Sequence, residues 1–181
     1  MIRFFDIVIS LICLFIFFPI IFIIFLTNLF SKYPILFRQR RVGLNQNNFI
    51  IIKFRTMYVG TKTIPTHLID SSQITPFGRI LRNTKLDEIP QFWNVLKGDM
   101  SIVGPRPCLL TQKKLIFERK KRRVFDVKPG ITGLSQISGI HMQTPKLLAK
   151  TDKKMIKKIS IGDYLNFIFK SIFLVFKNLI K

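Results

Sequence analysis

Between Ile7 and Ser31 the chain runs for 25 positions without a charged residue, and Ile, Leu and Phe fill most of them. As one continuous helix this run would measure about 37 Å, enough to cross a hydrocarbon core of about 30 Å with some tilt. It is longer than the apolar region of a signal peptide, and Ser31-Lys32-Tyr33-Pro34 offers no small-residue cleavage site, so it reads as a retained segment. Pro19 stands in its middle, where it removes a backbone hydrogen bond and crowds the preceding turn. Lys32, Arg38, Arg40 and Arg41 follow closely and place the C-terminal end of the run in the cytoplasm. A kinked span satisfies these facts. So does a helix that enters, breaks at Pro19 and returns to the same face.

Arg3 and Asp6 cancel ahead of the run, so the whole net charge of +21 lies in the remaining polypeptide. So one-sided a balance repels itself and implies an anionic partner: nucleic acid, acidic lipid or a phosphorylated substrate. The 181 residues suffice for one domain with its own core. Cys13 and Cys108 have no metal-ligand spacing and support neither a disulfide framework nor a zinc site, which fits a reducing compartment.

Beyond the apolar run, residues 35–43 and 49–57 are β-prone and flank the connection Leu44-Asn45-Gln46-Asn47-Asn48, a pattern that predicts a hairpin. Strand alternation puts Lys53 and Arg55 on one face of its second strand, where a solvated edge is the plain reading. Residues 58–75 read as a mobile loop. A helix is predicted from Pro76 to Leu86, with Arg82 and Lys85 sharing a face. Another begins at Pro90 and ends near Gly98. Pro105 and Pro107 fix the backbone around Arg106. Lys113 to Arg123 holds seven Lys or Arg and reads as a solvated or lipid-facing helix. Lys128 to Gly133 reads as a turn, and Pro145 to Lys158 as a helix. From Tyr164 to Lys181 the chain is very apolar apart from Lys170, Lys177 and Lys181, a pattern suited to a helix lying in a membrane interface. His67 and His141 read as ordinary loop residues.

Only nine acidic residues occur, and Asp87 and Glu88 are adjacent in a cationic neighbourhood just ahead of a helix. Acids at a helix start commonly cap it and offset its dipole. The functional reading is a carboxylate nucleophile or metal ligand, with Arg82 and Arg106 neutralising phosphate oxygens. On that reading the basic neighbours depress the pKa of Asp87 and keep it ionised.

Five blocks occur together in order: Lys53-Phe54-Arg55-Thr56-Met57; Leu81-Arg82 through Leu86-Asp87-Glu88-Ile89-Pro90-Gln91; Asn94 to Ser101; Val103-Gly104-Pro105-Arg106-Pro107; and Lys128-Pro129-Gly130-Ile131-Thr132-Gly133. In these the chain resembles the bacterial sugar transferase family, specifically its small monotopic phosphoglycosyl transferases, over nearly its whole length. The resemblance implies a reentrant N-terminal helix that dips into the cytoplasmic leaflet of the bacterial inner membrane and turns back at Pro19. Relatives often carry a serine before that proline, where this chain has Phe18.

The resemblance further implies that Asp87 attacks the β-phosphorus of a UDP-sugar, releases UMP and forms a phosphosugar-aspartate that polyprenyl phosphate then attacks. Mg2+ is the implied cofactor, with Asp87 and Glu88 as its protein ligands or Glu88 handling a proton instead, two catalytic roles the resemblance does not separate, and with Lys53, Arg82 and Arg106 as the phosphate-binding cations. Many relatives have an arginine where this chain reads Gly139-Ile140-His141, so the sugar is not carried over.

The expectation is therefore a helix-rich α+β fold: a membrane-associated domain with a small β-hairpin. A helix-break-helix reentrant segment would occupy 1–31, and a catalytic domain with interfacial amphipathic helices 32–181. UDP-sugar, polyprenyl phosphate and membrane lipid are the expected partners, not nucleic acid. The competing readings are a membrane-anchored nucleic-acid-binding domain, favoured by charge but lacking aromatic residues interleaved with the basic run, and a lipid-gripping scaffold.

Overall fold

Two helices meeting at a sharp bend open the chain: α1 spans Ile2–Ile16 and α2 spans Phe18–Leu29, and their axes differ by 54°. The cause is Pro19, which has no N–H to donate to the turn before it, so the hydrogen-bond ladder breaks at Phe17. Among the described residues no single helix is long and apolar enough to cross a membrane, whereas the bent pair together is, by length and composition. The computed structural model describes residues 1–29, 34–61, 70–157 and 159–179.

The predicted hairpin forms as strands β1 (Leu36–Val42) and β2 (Asn48–Phe54), antiparallel, with Leu36 opposite Phe54 and Val42 opposite Asn48. Asn45 and Gln46 take left-handed backbone angles at its tip, where asparagine is well tolerated. Arg55 lies just past β2, donates to the Pro34 carbonyl at 2.9 Å and sits over the ring of Phe37, the cross-strand partner of Lys53, on the face the alternation predicts. Of the stretch read as a mobile loop, residues 62–69 and with them His67 lie outside the described residues. The remainder carries a short 3-10 turn, Ser71–Gln73, and an antiparallel bridge between Met57 and Ile74.

Helix α3 covers Pro76–Asn83, shorter than predicted, and Lys85 beyond it is left-handed at φ 60°, so Arg82 and Lys85 share no helical face. A 3-10 turn, Leu86–Glu88, leads into α4 (Gln91–Lys97), which starts after Pro90 and stops at Gly98 as the sequence predicts. After α4 come β3 (Ser101–Val103), α5 (Lys113–Lys121), β4 (Gly130–Thr132), α6 (Leu134–Ile137), α7 (Pro145–Ile156) and α8 (Ile161–Leu179).

Two readings are corrected here. The stretch read as a turn at 128–133 contains β4, which pairs in parallel with β3. The two chains approach so closely that a Cβ on Gly130 would lie 2.0 Å from the Gly104 nitrogen. The basic helix is also not wholly solvated. Arg119 turns inward, is 1% exposed and pairs with Asp152 of α7 at 2.7 Å.

Three apolar clusters form the core: one around Ile51, Val95, Met100, Ile102 and Tyr164, one around Val42, Cys108, Leu115 and Leu148, and one joining Ile24 of α2 to Phe54, Leu81 and Ile89. Helix α1 is built into this body. Arg3 donates to the Val95 and Leu96 carbonyls at the end of α4, at 2.5 and 2.8 Å. The buried Asp6 carboxylate accepts from Ser101 Oγ, the Ile102 N–H and Tyr164 Oη at 2.8–2.9 Å. Hydrogen bonds to a charged group contribute about 1.5–3 kcal/mol each, so three of them offset the cost of burying this acid.

Helix α8 begins in a reciprocal cap: Ser160 N–H donates to Asp163, and Asp163 N–H donates to Ser160 Oγ. It leaves Phe169, Ile172, Phe173 and Phe176 exposed, Phe169 by 77%.

Candidate active site

The acidic dyad, Asp87 and Glu88, sits where α3, β2 and α4 converge. Thr75 caps α3 by accepting the Gly78 N–H at 2.9 Å. Gly78 lets that helix press against the chain leaving β2, for a Cβ there would lie 2.2 Å from the Thr56 carbonyl oxygen. The contact brings Arg82 to Thr56, whose hydroxyl accepts from Arg82 Nε at 2.8 Å. The left-handed Lys85 then reverses the chain, an uncommon conformation for a side-chain-bearing residue and one that clusters at functional sites. The turn it starts carries Asp87 and Glu88.

From the other side, Asn94 of α4 fixes β2. Its Oδ1 accepts the Ile52 N–H at 3.0 Å and its Nδ2 donates to the Ile50 carbonyl at 2.7 Å, so one buried side chain serves the strand edge that β1 does not use. Lys53, next along β2, reaches the dyad from that edge.

Glu88 is the charge-paired member. Its Oε1 accepts from Lys53 Nζ at 2.6 Å and from Arg106 Nη2 at 2.7 Å. Burial alone would raise its pKa, but Arg106 and Lys53 outweigh it and hold the carboxyl well below the usual range. The same carboxylate raises the pKa of Arg106. Lys53 is pushed down by burial, with Glu88 opposing.

Asp87 is different. It is 8% exposed, its one ion-pair partner among the described residues is Lys53 at 4.0 Å, and no described residue donates it a hydrogen bond. Burial raises its pKa, with Lys53 only partly opposing. This corrects the expectation that basic neighbours depress it: the strong partners bind Glu88 instead. A carboxylate so placed keeps its lone pairs uncommitted, as a nucleophile must.

The structure thus brings Lys53, Glu88 and Arg106 into direct contact, leaves Asp87 4.0 Å from Lys53, and sets Arg82 beside them through Thr56. Burial lowers the pKa of Arg82 and Asp87 opposes that shift, which records their proximity. Among the described residues no group of three or more His, Cys, Asp or Glu side chains gathers. His141 is exposed in the loop after α6, away from these contacts.

Arg41 of β1 escaped the sequence reading as a site neighbour. It is pushed down to about 10 by burial and by Arg106. The inward turn of Arg119 also escaped. The one signal available for it was an acid, Asp152, lying alone in an otherwise basic helix.

A buried aspartate with no hydrogen-bond donor among the described residues thus lies beside a cation-clamped glutamate, on a fold that also carries a bent apolar helix pair. The family model for bacterial sugar transferases matches residues 1–178, and the chain belongs to that family. It is 46% identical over 135 residues to the UDP-glucose:undecaprenyl-phosphate glucose-1-phosphate transferase of Xanthomonas campestris pv. campestris, an alignment covering 70% of this chain and 27% of that protein. The Escherichia coli K12 protein of the same description is 36% identical over 184 residues, 96% of this chain and 39% of its own length. An uncharacterized sugar transferase of Bacillus subtilis, EpsL, is 44% identical over 120 residues, 66% of this chain and 59% of its own. The chain therefore spans less than two thirds of each of these relatives.

Proposed function

We propose that this chain is a phosphoglycosyl transferase that moves a sugar-1-phosphate from a UDP-sugar to polyprenyl phosphate at the cytoplasmic face of the bacterial inner membrane. The observation that carries the reading is the asymmetry of the two acids: Glu88 clamped by two cations through Oε1, Asp87 beside it with no hydrogen-bond donor among the described residues. The names of the relatives supply the substrate class.

In the reaction an Asp87 oxygen attacks the β-phosphorus. The bond between that phosphorus and the bridging oxygen breaks, and UMP leaves with the oxygen and the electron pair. A phosphate oxygen of the polyprenyl phosphate then attacks the same phosphorus, expels the Asp87 carboxylate and yields polyprenyl-diphosphate-sugar. The covalent step lets a single phosphate site serve both substrates in turn. Burial favours attack, because a poorly solvated carboxylate sheds little water on approaching phosphorus. Arg82, bonded only through Nε among the described residues, keeps its Nη groups for phosphate oxygens. Lys53 and Arg106 hold Glu88 and present the rest of their positive charge to the diphosphate.

The donor set fits Mg2+, which takes one or two carboxylates plus substrate phosphates and keeps several waters. Asp87 and Glu88 Oε2 would hold it, since no described residue donates a hydrogen bond to either. Bound there, it would supply charge neutralisation on the leaving phosphate.

The bent α1–α2 pair supports reentrant insertion, and the exposed aromatic face of α8 supports contact with the membrane interface.

The purified protein incubated with a panel of UDP-sugars and polyprenyl phosphate releases UMP with at least one sugar and stops doing so as Asp87→Asn. Unchanged UMP production by that variant contradicts the reading.

A further inference from the structure

Proline removes the N–H groups by which a backbone segment is ordinarily tied down. The Pro105-Arg106-Pro107 segment is held by its carbonyls instead, each by a different element. The Pro105 oxygen accepts from the Gly130 N–H at 3.0 Å, the Arg106 oxygen from Arg119 Nη1 at 2.8 Å, and the Pro107 oxygen from Arg41 Nη1 at 3.2 Å. The middle carbonyl belongs to the residue whose guanidinium grips Glu88 at 2.7 Å.

Arg119 is itself fixed. Its Nε and Nη2 donate to Asp152 Oδ2 at 3.0 and 2.7 Å, and Asp152 Oδ1 accepts from Ser135 Oγ at 2.7 Å. All three residues are buried, whereas Lys113, Lys114, Lys120 and Lys121 on the same helix are exposed. A buried ion pair is costly to desolvate and is weak evidence for stability, so its directional consequence needs explaining. A guanidinium can give one edge to a carboxylate and still aim a separate N–H at a carbonyl, which a lysine does less rigidly.

We propose that Arg119, clamped by Asp152 and Ser135, is a positioning residue for the transfer reaction: it sets the Arg106 main chain so that the Arg106 guanidinium meets Glu88 beside Asp87. The inference rests on the transferase reading, and amide exchange tests its structural half without reference to activity.

Replacing the pair by apolar residues of similar volume, Arg119→Met with Asp152→Leu, keeps the interior filled and preserves the fold. In that variant the peptide spanning 104–109 exchanges its amides about tenfold faster or more, while the thermal midpoint stays within a few degrees. Its kcat/KM for the UDP-sugar falls about 30- to 100-fold, with KM rising as kcat falls. A loss of folded enzyme alone would lower the maximal rate and leave KM where it was. In an Arg106→Ala background the same replacement costs less than about twofold, because the residue through which Arg119 acts is gone.

Unchanged exchange at 104–109, unchanged KM, or an equal loss in both backgrounds would overturn the proposal. Should the double replacement not fold, Arg119→Lys carries the test, with KM raised about 3- to 10-fold at an unaltered thermal midpoint; parental KM overturns it. A parent enzyme that releases no UMP from any UDP-sugar defeats the transferase reading and with it the catalytic half of the proposal, and the exchange result then judges the tether by itself.

Discussion

Lys53 on β2 and Glu88 in the turn before α4 meet at 2.6 Å, tying the hairpin to the dyad. Because Arg106 contacts the same oxygen from a third direction, Glu88 organises the cations of the site more than it confronts the substrate.

Glu88→Gln leaves Lys53 and Arg106 facing each other without the shared charge. Breaking a buried pair costs about 3–5 kcal/mol, and partial exposure of Arg106 reduces this here to about 1–3 kcal/mol. Denaturant unfolding should show that loss at neutral pH. Glu88 has a depressed folded-state pKa, so its contribution is fully present above the ordinary glutamate value and is lost as pH falls below it toward the folded-state value. The gap between wild type and variant should therefore close in acid.

Asp87 carries the opposite sign. Its folded-state pKa is raised by burial, so its charged form costs stability at neutral pH and the cost disappears as pH falls through the folded-state pKa. Asp87→Asn should unfold at a temperature equal to or above wild type at pH 7 and lose any advantage in acid, while activity drops by about a thousandfold or more. The wild-type rate should fall on the acid side at a pH above the ordinary aspartate value of about 3.9, since only the ionised carboxylate attacks.

Asn94→Ala removes the partner of two strand-edge groups, the Ile52 N–H and the Ile50 carbonyl. Leaving them unsatisfied should cost about 1–3 kcal/mol. With β2 less fixed, Lys53 moves relative to Glu88, and kcat should fall along with stability.

The hairpin, the break at Pro19 and the limits of α4 were legible because each depends on local signals: an Asn-rich tip, a missing N–H, a proline and a glycine bounding an apolar stretch. The β3–β4 pair was not. It joins three residues to three others across a long separation in sequence, and nothing local marks Gly130 as a strand residue. The dyad was found through its neighbours, but the sequence could not divide the positive charge between its two acids. Summed charge predicts a depressed Asp87, whereas burial and direct contact assign the depression to Glu88. Arg119 was hidden among basic residues because its inward turn depends on Asp152, 33 positions away.

The proposed reentrant topology would place both ends of the bent pair on the cytoplasmic side. In a background with Cys13 and Cys108 replaced by serine, Ile2→Cys should resist an impermeant thiol reagent in sealed spheroplasts and react once the membrane is opened. Labelling from outside would mean that α1 and α2 cross the bilayer.

The most direct measurement is the mass of the enzyme incubated with its UDP-sugar in the absence of polyprenyl phosphate, quenched in acid and digested. The peptide carrying position 87 should gain one sugar phosphate, lose it when polyprenyl phosphate is added before the quench, and never gain it in Asp87→Asn. An unmodified peptide, in a preparation whose turnover is demonstrated in parallel, would contradict covalent transfer through this aspartate.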